Sequence, residues 1–228
     1  MNILFAILMF VFTIVVYLGM CKVYEKIRYP LLVPIATSTF VIIAFLSIFH
    51  FSYETYMLGG KWIDELLGPA VVALAYPLYE NRKKLKEHFL SIIISVLSGT
   101  IIGLLSGIYL SLLLGVDEKL LLSLAPKSVT SPVAMDISSI IGGIPTLAAV
   151  YVMIAGISGA MFGPYLLKAF NINSPIAIGI GFGAASHGIG TAKAYEFGSL
   201  QGAISSISMT LSAVLSALIC PFIIYLFV

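Results

Sequence analysis

PKSVTSPVAMD, residues 126–136, is the stretch whose reading decides this fold: a lysine, three hydroxyls, two prolines and an aspartate set in an otherwise apolar chain. Polar and ionisable groups at membrane depth are expensive, and where they persist they line a pathway or pair with each other instead of facing lipid. A second polar group, Ser186, His187, Thr191 and Lys193, falls in a glycine-laden run over 174–194. The pattern points toward transport.

Working outward, 60% of the residues are hydrophobic and only 10% are charged, with a mean hydropathy of +1.10. That is too little polar surface to cover a water-soluble globule. Apolar runs at 2–21, 31–49, 90–116, 145–167 and 203–228 each approach or exceed the ~20 residues that cross a ~30 Å hydrocarbon layer as a helix. Interrupted stretches at 55–80 and 118–141 complete a single integral membrane domain over 1–228. Continuous apolar runs exclude the alternating dyads of an outer-membrane barrel, so the expected class is all-α, a polytopic membrane bundle with broken or re-entrant helices.

The first run lacks a basic n-region and a small-x-small cleavage site, so it is expected to stay as a span. Cys21 and Cys220 give neither a disulfide framework nor a metal site. The net charge of +2 sits in short loops, which implies the lipid bilayer and not a nucleic acid as the surrounding partner. No cofactor is expected.

Lys22, Lys26 and Arg28 form one basic loop and Arg82, Lys83, Lys84 and Lys86 another. The positive-inside rule puts both in the cytoplasm. Two crossings then separate them, which places the amino terminus outside. Beyond 116 the parity is open: a full crossing by 118–141 sends Lys168 outside, and a re-entrant hairpin returns it to the cytoplasm.

Proline after a capping or flexible residue signals a helix start, and it occurs at Gly68-Pro69, Ser131-Pro132 and Ser174-Pro175. Gly68, Pro69, Pro132, Gly188 and Gly190 are the expected break positions. Two of these starts precede spans with spaced glycines, Gly99, Gly103 and Gly107 in one and Gly159 and Gly163 in the other. Repeat units of about 66–115 and 128–172 follow, a possible inverted repeat with its site at midmembrane. The glycine spacing itself reads as close packing between helices.

If Ser131 caps a helix and Pro132 opens it, free amides of the next turn carry partial positive charge close to Lys127. With the hydroxyls of Ser128 and Thr130 this makes a cradle for a small carboxylate solute. The same residues would do no more than cap the helix and snorkel if turned to lipid. Asp136 is a candidate for ion coupling, with Lys127 and His187 as its expected partners. His187, whose charge changes between pH 5 and 8, stands among Ser186, Thr191 and exposed glycine backbone as a candidate for both solute and proton or Na+ coupling. A neutral structural histidine is the alternative.

No G-x-S-x-G elbow, H-E-x-x-H or Walker lysine loop occurs, and the Gly-x-Gly strings of 179–190 follow no strand. An enzyme is therefore not expected.

LLGPAVVALAYPLYENRKKLKEH at 66–88, PKSVTSPVAMDIS at 126–138, IGGIPTLAAVYVMIAGISGAMFGP at 141–164 and ASHGIGTAKA at 184–193 closely resemble the LrgB family. The membrane part of the chloroplast glycolate/glycerate translocator is similar to it. The resemblance runs from about Tyr29 to the carboxyl end. It implies two functions: antiholin-like control of murein hydrolase export and cell lysis, or movement of small monocarboxylates such as pyruvate, glycolate or glycerate. It further implies a small holin-like subunit of the LrgA type as partner. The broken-helix core favours transport as the molecular activity, and a homodimer is expected of a repeat-built transporter. Asp136 stands where the family is expected to carry an acidic residue, often the longer Glu.

Overall fold

The computed structural model describes residues 2–27, 29, 32–66, 69, 72–73 and 75–227. No strand forms among them. Among the described residues four helices are long and apolar enough to span a bilayer. The chain divides into two units, one ending at Ala75 and the next starting at Tyr76.

The first unit holds α1 (Asn2–Ile27), α2 (Pro34–Ile48) and α3 (Tyr53–Glu65). Both α2 and α3 pack on α1. A glycine makes the closer approach possible: a Cβ on Gly59 would meet the Phe10 amide nitrogen at 2.7 Å. Around that contact Thr13 and Tyr56 share a hydrogen bond of 3.1 Å, and Phe10 meets Trp62 edge-on at 5.8 Å. Ser52 caps α3 by accepting from the Thr55 amide at 3.2 Å, as N-cap serines do. The expected break at Gly68-Pro69 falls on Gly68, which lies outside the described residues.

The boundary between the units falls within α4 (Ala75–Glu80). The second unit continues through α5 (Arg82–Glu87), α6 (Phe89–Leu113), α7 (Glu118–Leu124), α8 (Ser131–Ile141), α9 (Pro145–Ala169), α10 (Pro175–Phe197) and α11 (Ser199–Phe227). Its outward positions are apolar, among them Ile102, Ile154 and Phe222, while Ser205, Ser208, Ser212 and Ser216 are buried. This inside-out distribution suits a lipid solvent, where polar side chains gain by turning into the bundle.

Residues 118–144 form a re-entrant hairpin. The Ile144 amide donates to Ser123 Oγ at 2.7 Å, and a Cβ on Gly143 would come within 2.9 Å of the Ser123 nitrogen. The chain leaving α7 at Leu124 therefore returns through α8 to the level of Ser123. Gly142 ends α8 with φ 89°, a left-handed conformation that glycine adopts without a Cβ clash. Because the hairpin returns to the side it left, α9 runs back across the membrane. Lys168 thus comes to the same side as the basic run Arg82–Lys86, which resolves the parity that the sequence left open.

A second reversal lies inside α10. Ser186 (φ −131°, ψ 15°) and His187 (φ 41°, ψ −131°) are non-helical, and they divide it into α10a (175–185) and α10b (188–197). The halves fold against each other: the rings of Phe182 and Phe197 stand 5.7 Å apart, although about 22 Å would separate these positions on a straight helix. A single residue, Gly198 (φ 149°), then joins α10b to α11.

A long helix followed by a hairpin thus occurs twice, over 89–144 and over 145–197, and α11 completes the set. These frames are offset from the units 66–115 and 128–172 expected from the prolines. The two hairpins come from opposite sides of the bundle. The core divides accordingly. Leu104, Ile108, Leu121, Val129, Val152 and Ile224 pack around the first hairpin, and Ile92, Val96, Ala184 and Ile204 around the second.

Candidate functional site

Lys127 stands at the turn of the first hairpin. Its amine donates to the Gly103 carbonyl at 3.1 Å, ten residues before the end of α6. That is about 15 Å along the helix axis, near the middle of a ~30 Å apolar layer. Gly107, one turn further on, leaves the space: a Cβ there would meet Lys127 Nζ at 2.5 Å. The glycine ladder of α6, expected to pack helix on helix, instead seats a lysine, and Gly99 has nothing within 4 Å.

Thr130, extended at φ −69° and ψ 151°, is the residue before α8, so Ser131 is its first helical residue and Pro132 its second. The capping position is thus one residue earlier than expected. Thr130 makes no side-chain cap bond. Lys127, Ser128, Thr130 and Ser131 are all half-buried, while Pro126 and Val129 beside them are buried. The amide end of α8 and the lysine are consequently presented together, a combination that favours an anion.

Asp136 is exposed on α8. Among the described residues it makes no ion pair, and the Lys127 amine bonds to a backbone carbonyl instead. The expected pairing of these two residues is not formed in the structure, because the hairpin turns the lysine toward α6 and leaves the aspartate on the outer face of α8.

His187 forms the tip of the second hairpin. Its Nε2 donates to the Val152 carbonyl of α9 at 3.0 Å, with the ring 4% exposed. Gly156 permits this approach, since a Cβ there would meet the imidazole Cε1 at 2.6 Å. Ser186 likewise lies on Gly159, whose added Cβ would stand 2.7 Å from the serine Cβ. Both α6 and α9 therefore use glycines to receive the tip of the hairpin that follows them. The positive φ of His187 is strained for a residue with a side chain, and it is held by contacts on both sides of the break.

Thr191 fastens the second half. Its hydroxyl donates to the His187 carbonyl at 2.9 Å and lies 2.9 Å from Ser205 Oγ of α11. Gly190 is buried where the two halves cross, and Gly188 faces Met209 at 3.9 Å from its added Cβ. Lys193, 7% exposed, pairs with Glu196 of its own half-helix at 2.5 Å.

The two expected clusters lie at the tips of separate hairpins that have neighbours in common: α6, α9 and α11 each pack on both hairpins. Val152 is one such neighbour, accepting from His187 while sharing a core with Val129 and Ala134. Sequence reasoning missed the buried polar face of α11, Ser205, Ser208, Ser212 and Ser216. Its signal was available as serines three and four apart in an apolar run, which fall on one helix face.

Comparison with known proteins gives a match to the LrgB-like family over residues 13–226. The chain is 48% identical over 222 residues to the uncharacterized protein YxaC of Bacillus subtilis (strain 168), covering 97% of this chain and 96% of the relative. It is 39% identical over 222 residues to the holin-like protein CidB of Staphylococcus aureus (strain Mu50), covering 97% of each. The holin-like protein CidB of Staphylococcus epidermidis (strain ATCC 12228) is 38% identical over the same length, again with 97% of each covered. No solved structure matches. With nearly the whole length matched, this membrane protein belongs to the LrgB-like family.

Proposed function

We propose that this protein is a secondary transporter of small monocarboxylates, of the pyruvate, glycolate or glycerate type, driven by a proton or Na+ gradient across the bacterial cytoplasmic membrane. The observation that carries the reading is the Lys127 amine held near the middle of α6 at the tip of a re-entrant hairpin. A half-buried cation away from bulk water is stabilised by a counter-charge. Among the described residues its hydrogen-bond partner is a carbonyl dipole, which leaves a place for a visiting carboxylate to complete the site. Ser128, Thr130 and Ser131 add hydroxyls and the free amides of α8 for its oxygens, with Ser186, His187 and Thr191 opposite.

Two hairpins inserted from opposite faces suit alternating access, in which one side opens while the other stays closed around a central solute. The amino terminus is then outside and the basic run Arg82–Lys86 inside. Proteoliposomes containing the purified protein should accumulate labelled glycolate or pyruvate saturably under a proton or Na+ gradient. Absence of saturable uptake under either gradient, with and without a small holin-like partner, ends this reading.

A second reading is favoured by the CidB relatives, whose names say holin-like: an antiholin-like regulator of murein hydrolase export and lysis, acting through a small membrane subunit or a homodimer. Under it, bulky residues at Gly99 and Gly163 abolish lysis control, whereas Lys127→Ala and His187→Ala leave it intact. The opposite pattern supports transport.

A further inference from the structure

A groove of about 420 Å³ runs between α9 and α10a. Phe162, Leu166 and Phe170, four residues apart on one face of α9, form one wall and are exposed. The floor is Gly159 and Gly163 with Phe182 of α10a, whose ring comes so close that a Cβ on Gly163 would meet it at 2.7 Å. Gly181 and Ala185 form the far wall, and an added Cβ on Gly181 has nothing within 4 Å.

The inner end of this groove is Ser186, the first residue of the break in α10. Its mouth is at Phe170 and Ile172, just past the last turn of α9. From Gly159 to Phe170 the chain rises about 16 Å, half of a ~30 Å apolar layer. The slot is therefore one leaflet deep.

Every apolar surface in a membrane meets lipid, and the shape and charge of this one select an occupant. Among the described residues Ser158 and Ser186 are the only polar side chains on its wall, too few to replace the water around a small ion or solute. A spanning helix from a second copy runs the whole depth of the layer, and the slot ends halfway. Its volume holds about fourteen groups of water size, which methylenes match, so it has the dimensions of a single acyl chain.

The mouth selects the headgroup. Lys168 is the only charged side chain in residues 158–186, and it lies in the last turn of α9 between two lining residues, Leu167 and Phe170. Past Ile172 the chain enters α10a at Pro175, where the N-cap Ser174 makes no side-chain bond. The opening amides of α10a are left free and carry the positive end of its dipole. An ammonium and a helix amino end flanking one mouth suit a phosphate.

We propose that the groove between α9 and α10a binds one acyl chain of an anionic phospholipid from the leaflet on the Lys168 side, with its phosphate at Lys168 and the opening amides of α10a. The site stands whether or not the protein is a transporter. Its inner contact is Ser186, next to His187, so the bound chain backs the tip of the second hairpin where α9 receives it.

The test is thermal unfolding of the full-length protein in detergent, titrated with palmitoyl-oleoyl phosphatidylglycerol, with phosphatidylcholine of the same chains, and with glycerophosphoglycerol, which has the headgroup and no chain. Both lipids should raise Tm saturably by linkage, phosphatidylglycerol at about fivefold lower concentration, and the chainless headgroup should do nothing. Gly181→Leu fills the groove where space is open and should raise the half-saturating lipid concentration by about tenfold or more. Ala185→Leu, exposed on the same wall, serves as a second variant and should act alike. Gly99→Leu, which also adds a side chain into open space but away from the groove, should leave the titration unchanged. Lys168→Gln should erase the preference for phosphatidylglycerol and keep the response to both lipids. A wild type that responds to neither lipid, or groove-filled variants that titrate as wild type does, overturns the site. A preference for phosphatidylglycerol retained in Lys168→Gln overturns the headgroup assignment. Dissociation of a dimer by Gly181→Leu, with the lipid response untouched, would give the groove to a second copy instead.

Discussion

The Lys127 amine and the Gly103 carbonyl, 3.1 Å apart, join the turn of a hairpin to the midpoint of a spanning helix. A lysine in this position has left both water and the headgroup layer, and its partner is a carbonyl that also belongs to a helix ladder. That contact fixes the depth at which the first hairpin meets α6.

Replacing Lys127 should therefore separate binding from folding. Lys127→Gln is expected to keep the fold and reduce uptake at least about tenfold, which corresponds to about 1.4 kcal/mol. Gly107→Ala places a Cβ 2.5 Å from Nζ, and because the far end of a lysine can shift, this variant should raise KM with little change in kcat. Measurement of both constants in proteoliposomes decides the matter; unchanged kinetics in Lys127→Gln would remove it from the site.

Gly156→Ala should be the more damaging glycine change, because the added Cβ meets a rigid imidazole at 2.6 Å. Overpacking of this kind costs about 1–3 kcal/mol. The double variant Gly156→Ala with His187→Gly should recover most of that loss, since it removes the clash and relieves the positive φ together. Thermal unfolding of the four proteins tests the coupling, and additive losses would show that the two residues do not interact.

The first hairpin should open locally when its stitch is cut. Ser123→Ala leaves the part-buried Ile144 amide without its acceptor, a cost of about 1 kcal/mol, the ordinary net value of one hydrogen bond. Hydrogen exchange over 118–144 is expected to quicken while exchange in α11 stays constant. Uniform protection in both segments would contradict the assignment.

Topology offers a test free of activity. Cysteines at Lys83 and Lys168 should be labelled from the same side of the membrane, and one at Gly115 from the other. Labelling of Lys168→Cys together with Gly115→Cys would mean that 118–141 crosses completely.

The helical class and the spanning runs were legible because length and apolarity alone set them; α6, α9 and α11 begin or end within a few residues of the runs read from the sequence. The break at Ser131-Pro132 was equally plain, since proline and hydroxyl mark a start whatever surrounds them. A break was expected at Gly188 and Gly190 and falls at Ser186 and His187 just before them, but the folding back of its two halves was not legible. Gly179, Gly183 and Gly190 are equally compatible with closely packed helices, and only the contact of Gly190 with Phe182 and the pairing of Phe182 with Phe197 reveal that the chain doubles back. The Lys127 to Asp136 pairing was misjudged for a related reason: proximity in sequence says nothing of direction once a hairpin turns the lysine toward α6. The serines of α11 escaped notice because a single serine is cheap in an apolar helix, and their meaning lies in a shared face.

Gly198 gives the second hairpin a different mounting from the first. Where 118–144 is sewn shut at its base by Ser123, α10b swings into α11 through one residue whose φ of 149° belongs to glycine alone. The first hairpin is thus fixed at its base by a side chain, and the second by its packing on α11 and by one glycine that no other residue replaces without strain.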